Sequence, residues 1–278
     1  MNLSARIRAA LGVELVDDVP PAGGCVGDVR KLSLADGRTA VAKLGGGAAL
    51  EGRMLRDLAA RSKLPVPNVL FADETLLVMT YIDAAGRLSD RAQEDAADHL
   101  AQLHAITSDR FGFDYDTVVG GLHQPNPWTA SWRDFFRDHR LLAMAGEALR
   151  AGRLPPVTMT RIETLAGRLD RWIDDSARPS LVHGDMWTGN ILCRGDRAVG
   201  FVDPAIYFAD AEIELAFSTL FGTFGEPFFR RYAEHRPIAP GFFEERRDLY
   251  NLYPLLVHVR LFGGNYVAQV DQIVRRFI

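Results

Sequence analysis

Apolar and polar positions alternate over residues 29–34, break at Ala35-Asp36-Gly37, and resume over 39–44, which predicts a β-hairpin. The period then changes. Leu50, Met54, Leu55 and Leu58 fall on one face of a helix over 48–61, which Pro65 and Pro67 close off. A short apolar strand is predicted over 75–82, and residues 1–11 read as an amphipathic helix. From Ser89 onward the spacing is helical, over 89–106, 131–150, 158–175 and from Gly241 to the C-terminus. A compact β segment, 180–203, interrupts this run. The chain therefore divides into a small β-rich N-terminal lobe (residues 1–82) and a larger, mainly helical C-terminal lobe (83–278), joined through 81–85: an α+β, two-lobe fold.

Composition narrows the functions. At 278 residues, 47% hydrophobic and 24% charged, the chain has the make-up of a globular protein with a sizeable core. A net charge of −4 provides no basic field, so neither nucleic acid nor an anionic membrane is an expected partner. No apolar run reaches the ~20 residues of a membrane span, and the first eleven residues lack the make-up of a secretory signal. The only cysteines, Cys25 and Cys193, are far apart in sequence, which points to a reducing, cytoplasmic setting. Only three of the 32 basic residues are lysines (Lys31, Lys43 and Lys63), so a lysine within an apolar strand is conspicuous.

The chemistry concentrates in 180–203. The strand end Ser180-Leu181-Val182 runs into His183-Gly184-Asp185-Met186-Trp187-Thr188-Gly189-Asn190. Two further short strands, turning at Arg194-Gly195-Asp196, deliver Asp203. Such a hairpin returns Asn190 and Asp203 to the same open end, with Asp185 facing the same cleft. Phosphoryl transfer needs this arrangement: Asp185 to accept the acceptor hydroxyl's proton, and the hard oxygens of Asn190 and Asp203 to hold Mg²⁺ against the phosphates. Singly, each residue reads equally well as a loop acid, a turn residue or a strand-end cap; the ordered set is the signal.

That set resembles the catalytic loop and metal-binding motif of the protein-kinase-like fold in its aminoglycoside-phosphotransferase-like version. It is most similar to the fructosamine kinase (ketosamine-3-kinase) family, as are Asp203-Pro204-Ala205-x-Tyr207, Gln124-Pro125-Asn126, Leu100-x-x-Leu103-His104 and Leu261-Phe262-Gly263-Gly264-x-Tyr266. The resemblance implies a protein-kinase-like fold and an ATP- and Mg²⁺-dependent kinase. It implies as acceptor the 3-hydroxyl of a ketosamine such as fructosamine or ribulosamine, free or on glycated protein amines, in a deglycation repair step. Kinases of aminoglycosides, choline or other small alcohols share the fold, and a nucleotide-binding pseudokinase is the alternative of another class. Where the family usually has Gly-Asp-x-Glu-x-Asp-Leu-Ala, this chain has Ala209-Asp210-Ala211-Glu212-Ile213-Glu214-Leu215-Ala216, with Glu214 in place of the second Asp.

The N-terminal lobe supplies a matching nucleotide site. Gly23-Gly24-Cys25-Val26-Gly27 is a candidate phosphate-covering loop, with Gly24 and Cys25 at its centre, because glycines let backbone N–H groups approach phosphate oxygens. A reactive, redox-sensitive thiol is the sharper reading of Cys25 and an ordinary loop residue the blander one. Lys43 ends a Val-Ala-x-Lys-like strand; its plain reading is a snorkelling surface lysine, and its kinase-like reading a ligand of the α/β-phosphates paired with Glu51. Met79 is expected at the rear of an adenine pocket and Tyr81-Ile82 at its hinge. For the acceptor, Trp132, Phe136 and Arg140 lie on one helical face, with an aromatic core stripe as the competing reading, and Trp187 sits within the catalytic loop. The quaternary expectation is a monomer or weak homodimer.

Overall fold

The computed structural model describes residues 2–20 and 28–278. The N-terminal part begins with α1 (Leu3–Leu11), capped by the Asn2 side chain, which accepts from the Ala5 N–H at 2.9 Å. Then come β1 (Leu15–Val19), β2 (Asp28–Leu34), β3 (Thr39–Leu44), α2 (Ala48–Arg61), β4 (Val69–Ala72) and β5 (Leu76–Thr80). The strands form one antiparallel sheet in the order β1-β2-β3-β5-β4.

Register decides which face does what. Directly opposed residues share a face, so Leu32, Leu34, Ala40, Ala42, Leu76 and Val78 form one apolar layer, closed by Ile7 of α1. The opposite face carries Lys31, Val41 and Met79 in one cross-strand row and Val29, Lys43 and Leu77 in the next. Helix α2 covers part of that face through Ala48 and Leu55, while its Met54 and Leu58 join the main core of the C-terminal part.

The C-terminal part contains α3 (Asp90–His104), β6 (Thr117–Val119), β7 (Leu122–Gln124), α4 (Trp132–Phe136), α5 (Ala143–Arg150), α6 (Pro156–Ala166), β8 (Ser180–Val182), β9 (Ile191–Arg194), β10 (Arg197–Phe201), β11 (Tyr207–Ala209), α7 (Glu212–Leu220), α8 (Glu226–His235), α9 (Arg247–Phe262) and α10 (Asn265–Phe277). Ser89 and Ser131 cap α3 and α4, accepting from Ala92 and Asp134 N–H groups. The small-residue face of α3, with Ala92, Ala96 and Leu100 buried, lets α8 pack closely, and α7, α9 and α10 complete the core.

Several predicted elements are refined. The helix over 131–150 is interrupted by a π-helical stretch, Arg137–Leu142, and the one over 158–175 ends at Ala166 before a 3₁₀ turn, Leu169–Arg171. The C-terminal helix breaks at Gly263-Gly264. The β6–β7 hairpin has three-residue strands, too short for alternation to register, and α8 buries only Phe228 and Tyr232 within a charged sequence.

Candidate active site

The hairpin β9–β10 pairs Ile191 with Phe201, so the residues beyond both ends emerge side by side; Val202 donates its N–H to the Asn190 carbonyl at 3.0 Å. Asn190 and Asp203 thus stand together as predicted. Asp203 has φ 56, the only described residue other than glycine with positive φ. A left-handed aspartate is a sparsely populated conformation that persists where surroundings over-determine it.

Across the cleft, Lys43 on β3 reaches both lobes. Its Nζ donates to Glu51 Oε1 at 2.7 Å and also to Asp203 Oδ1. The Lys43 and Glu51 side chains are 19% and 21% exposed, a mostly desolvated pair, while the Asp203 carboxylate is 45% exposed and open to a ligand. Burial opposes the ammonium, but the two carboxylates outweigh it and raise its pKa, so Lys43 stays charged.

Asp185 lies half-buried at the start of the loop. Asn190 Nδ2 donates to its backbone carbonyl at 2.8 Å and to its Oδ2 at 3.0 Å. Burial pushes the Asp185 carboxyl up to about 7, against the Asn190 hydrogen bond and with the nearby Asp203 and Glu214 charges helping. That value suits a base acting near neutral pH. Because the Asn190 amide nitrogen is spent on Asp185, its oxygen is left as a hard acceptor; with the Asp203 carboxylate from the adjacent chain end, it makes a donor set that fits Mg²⁺.

Two glycines shape the loop. Gly184 has φ 84, and a Cβ there would meet the Ala205 carbonyl oxygen at 2.2 Å, so only glycine fits between His183 and Asp185. At Gly189 a Cβ would meet the Trp187 ring at 2.4 Å: the indole folds over this glycine, yet Trp187 remains 39% exposed.

Residues outside the motif brace it. Glu214 of α7, fully enclosed, accepts from the backbone N–H groups of His183 at 3.2 Å and Gly184 at 2.6 Å and pairs with His104 Nε2 at 2.8 Å. Burial alone raises its carboxyl; the His104 and Gly184 hydrogen bonds outweigh it and hold the group below the usual range. Gln124 donates to the Ala205 carbonyl at 3.0 Å and accepts from Tyr253 Oη at 2.7 Å, bracing the segment after Asp203. Sequence named the Gln-Pro-Asn motif and the Glu214 departure, but not what they touch. His183 is buried and held neutral by burial, as its packing role requires.

Met79 is buried on the cleft face, opposite Val41, and Tyr81 and Ile82 follow the end of β5. Gly24 and Cys25 lie outside the described residues.

Two assignments are corrected. Trp132 is fully buried, its Nε1 bonded to Tyr250 Oη at 2.9 Å among Phe111, Phe135 and Phe136. Arg140 is also fully enclosed, donating to the Pro125 and His139 carbonyls and Asn126 Oδ1, with its guanidinium 3.9 Å from the Tyr207 ring centroid. Neither reaches an acceptor, because the helix turns this stripe into the core; both hold the scaffold. Exposed aromatic surface lies instead at Trp187, Phe221 (41%) and Phe262 (57%), with the His258 ring 4.9 Å from Phe221. Thr188 ties the Trp187 loop to Thr223 beside Phe221, its N–H donating to Thr223 Oγ1 at 3.0 Å. Of these residues the sequence singled out only Trp187 for the acceptor; Phe221 and Phe262 come from separate segments whose spacing gave no such signal.

Comparison with known proteins identifies the family. Residues 48–278 match the fructosamine kinase family. A Synechocystis protein assigned as a ketoamine kinase is 38% identical over 234 residues, covering 80% of this chain and 75% of that protein. The Arabidopsis thaliana chloroplastic protein-ribulosamine 3-kinase is 31% identical over 223 residues, covering 77% of this chain and 66% of that protein. A crystal structure from Thermobifida fusca, assigned as a fructosamine-3-kinase, superposes with a TM-score of 0.84 at 30% identity, covering 99% of this chain and 97% of that one. The gentamicin complex of an aminoglycoside phosphotransferase superposes with a TM-score of 0.67 at 18% identity, covering 99% and 97%, a likeness of fold.

Proposed function

Since the chain belongs to the fructosamine kinase family, we propose that its cleft transfers the γ-phosphoryl group of ATP to the 3-hydroxyl of a ketosamine, with Asp185 as the general base. The chain is an ATP-dependent phosphotransferase of the ketosamine kinases; the choice of hydroxyl and the residue roles are the reading proposed here. The observation that carries it is the meeting of Lys43, Glu51 and Asp203 at one end of the cleft with the Asp185–Asn190 pair.

The roles follow from chemistry. Asp185 accepts the acceptor proton as its oxygen attacks, a contribution of about 10²–10⁴-fold. Lys43, oriented by Glu51, binds the α/β-phosphates as a compact charge. Asn190 and Asp203 would hold Mg²⁺, which when bound neutralises phosphate oxygens. The Lys43 ammonium also donates to the Asp203 carboxylate, which ties the phosphate-binding lysine to that site. Trp187, with Phe221 and Phe262 beyond it, offers flat apolar surface to a sugar face. An attached lysine or peptide can remain in solvent beyond that wall, which suits both free and protein-bound acceptors.

The test is ATP turnover by the purified chain across a panel: fructoselysine, ribuloselysine, an aminoglycoside and choline. Ketosamine-dependent ADP release at least tenfold above the others is expected; turnover led by the aminoglycoside or choline would overturn the reading.

A further inference from the structure

Lys31 has no part in the chemistry described so far, yet it stands on the same side of the sheet as that chemistry. It pairs across the ladder with Val41, which pairs with Met79, so it shares the cleft face with Lys43 and not the apolar face under α1. On its other side stands Val19 of β1, 44% exposed, which marks the outer border of this face. From there the half-buried Lys31 side chain reaches towards the connection between the lobes: its Nζ lies 4.3 Å from the ring centroid of Tyr81, the first residue after β5. Below, Ile82 packs onto the β9–β10 hairpin; a Cβ at Gly200 would meet Ile82 Cδ1 at 2.6 Å and Leu192 Cδ1 at 3.3 Å. Val41 and Met79 thus form a roof, Ile82 and Leu192 border the floor, and Lys31 and Tyr81 stand at the outer edge.

We propose that Lys31 and Tyr81 form a cation–π clasp across the mouth of the nucleotide cleft, and that Lys31 sets affinity for the nucleotide by covering the base with its stem and donating to the ribose hydroxyls. The proposal rests on the nucleotide-site reading above and names a further residue of that site. Its chemistry is specific. An ammonium over an aromatic face is attracted by the ring quadrupole, which fixes an otherwise flexible four-carbon stem at the opening. The ammonium keeps donors to spare and has no acceptor of its own, matching hydroxyl oxygens. A guanidinium, which stacks flat on an aromatic ring, would spread over the opening instead. This gives a reason for lysine at position 31 in a chain whose basic residues are otherwise arginine at all but two positions.

The experiment measures ATP and 2′-deoxy-ATP binding by calorimetry, with melting temperatures, for the wild type, Lys31→Met, Tyr81→Leu and the double variant. Lys31→Met keeps most of the stem and deletes the charge. We expect it to weaken ATP binding about three- to tenfold, to narrow the preference for ATP over 2′-deoxy-ATP, and to leave the melting temperature within about a degree. The double variant should lose less than the sum of the two single changes, because the pair acts as a unit. In turnover, the loss should fall on the KM for ATP, with the KM for the ketosamine unchanged. Unaltered ATP affinity in Lys31→Met, an unaltered preference between the two nucleotides, or strictly additive losses would each overturn the proposal. Calorimetry needs no acceptor, so a chain that binds ATP but phosphorylates no ketosamine would contradict the function reading alone.

Discussion

Lys43 is shared between two carboxylates that belong to different parts of the molecule, and this sharing defines the residue-scale account. Glu51 orients the ammonium from α2, and Asp203 holds it from the far side of the cleft. Asp203 also sits in a left-handed conformation that an unstrained strand end would not adopt, a cost of about 1–3 kcal/mol for such residues. If its carboxylate acts through a cation, Asp203→Ala should weaken Mg²⁺-ATP binding at least tenfold while metal-free ATP binding changes little; calorimetry with and without Mg²⁺ reads the difference. Equal losses in both conditions would assign Asp203 a structural role only. The residues that meet here were legible because ordered spacing around a hairpin constrains where their side chains emerge. Trp132 and Arg140 were not, since an i, i+4, i+8 stripe reveals a face of a helix but not whether that face looks inward or outward.

Among the elements, α7 bears most directly on the catalytic loop. Its first turn places Glu214 under the His183 and Gly184 N–H groups and leaves Asp210 against Tyr250, whose hydroxyl donates to Asp210 at 2.8 Å. Glu214→Gln keeps the size but removes the charge from hydrogen bonds of the stronger class, a loss of about 1.5–3 kcal/mol. The melting temperature should fall by several degrees and kcat should drop together with it; calorimetric melting and steady-state rates check this. Asp210 gives a pH signature. Burial, with the Glu212 charge adding to it, pushes its carboxyl up to about 6. A raised folded-state pKa means the contribution to stability is complete below the ordinary carboxylate range and is lost as pH rises through about 6. Asp210→Asn should therefore stabilise the protein by about 1–3 kcal/mol at pH 8 and by little near pH 4. A melting-temperature difference that is the same at both pH values would show that Asp210 does not titrate in this way. The acids of this helix were visible in the sequence as a departure at position 214. Their partners were not, because His104, at the end of α3, is 110 residues away from Glu214 and meets it only in the folded chain.

Across the whole molecule, a five-stranded sheet and a helical body meet at the cleft, and hydrophobic periodicity anticipated three of the five strands and most of the helices. The long strands and helices carried that signal. What escaped were the edge strands β1 and β4, the mostly charged α8, three-residue strands, a π-helical turn within a helix, and, beyond Trp187, an exposed aromatic wall drawn from separate segments. The base, its metal ligands and the phosphate-binding lysine all serve one reaction, so a single comparison tests the account most directly. Wild type and Asp185→Asn are given ATP, Mg²⁺ and ribuloselysine, the phosphorylated carbon is located by NMR, and ATP binding is measured in both. The wild type should yield a 3-phosphate, and Asp185→Asn a rate about 10²–10⁴-fold lower with ATP affinity retained. Phosphate on another hydroxyl, or an Asp185→Asn rate close to that of the wild type, would contradict the account.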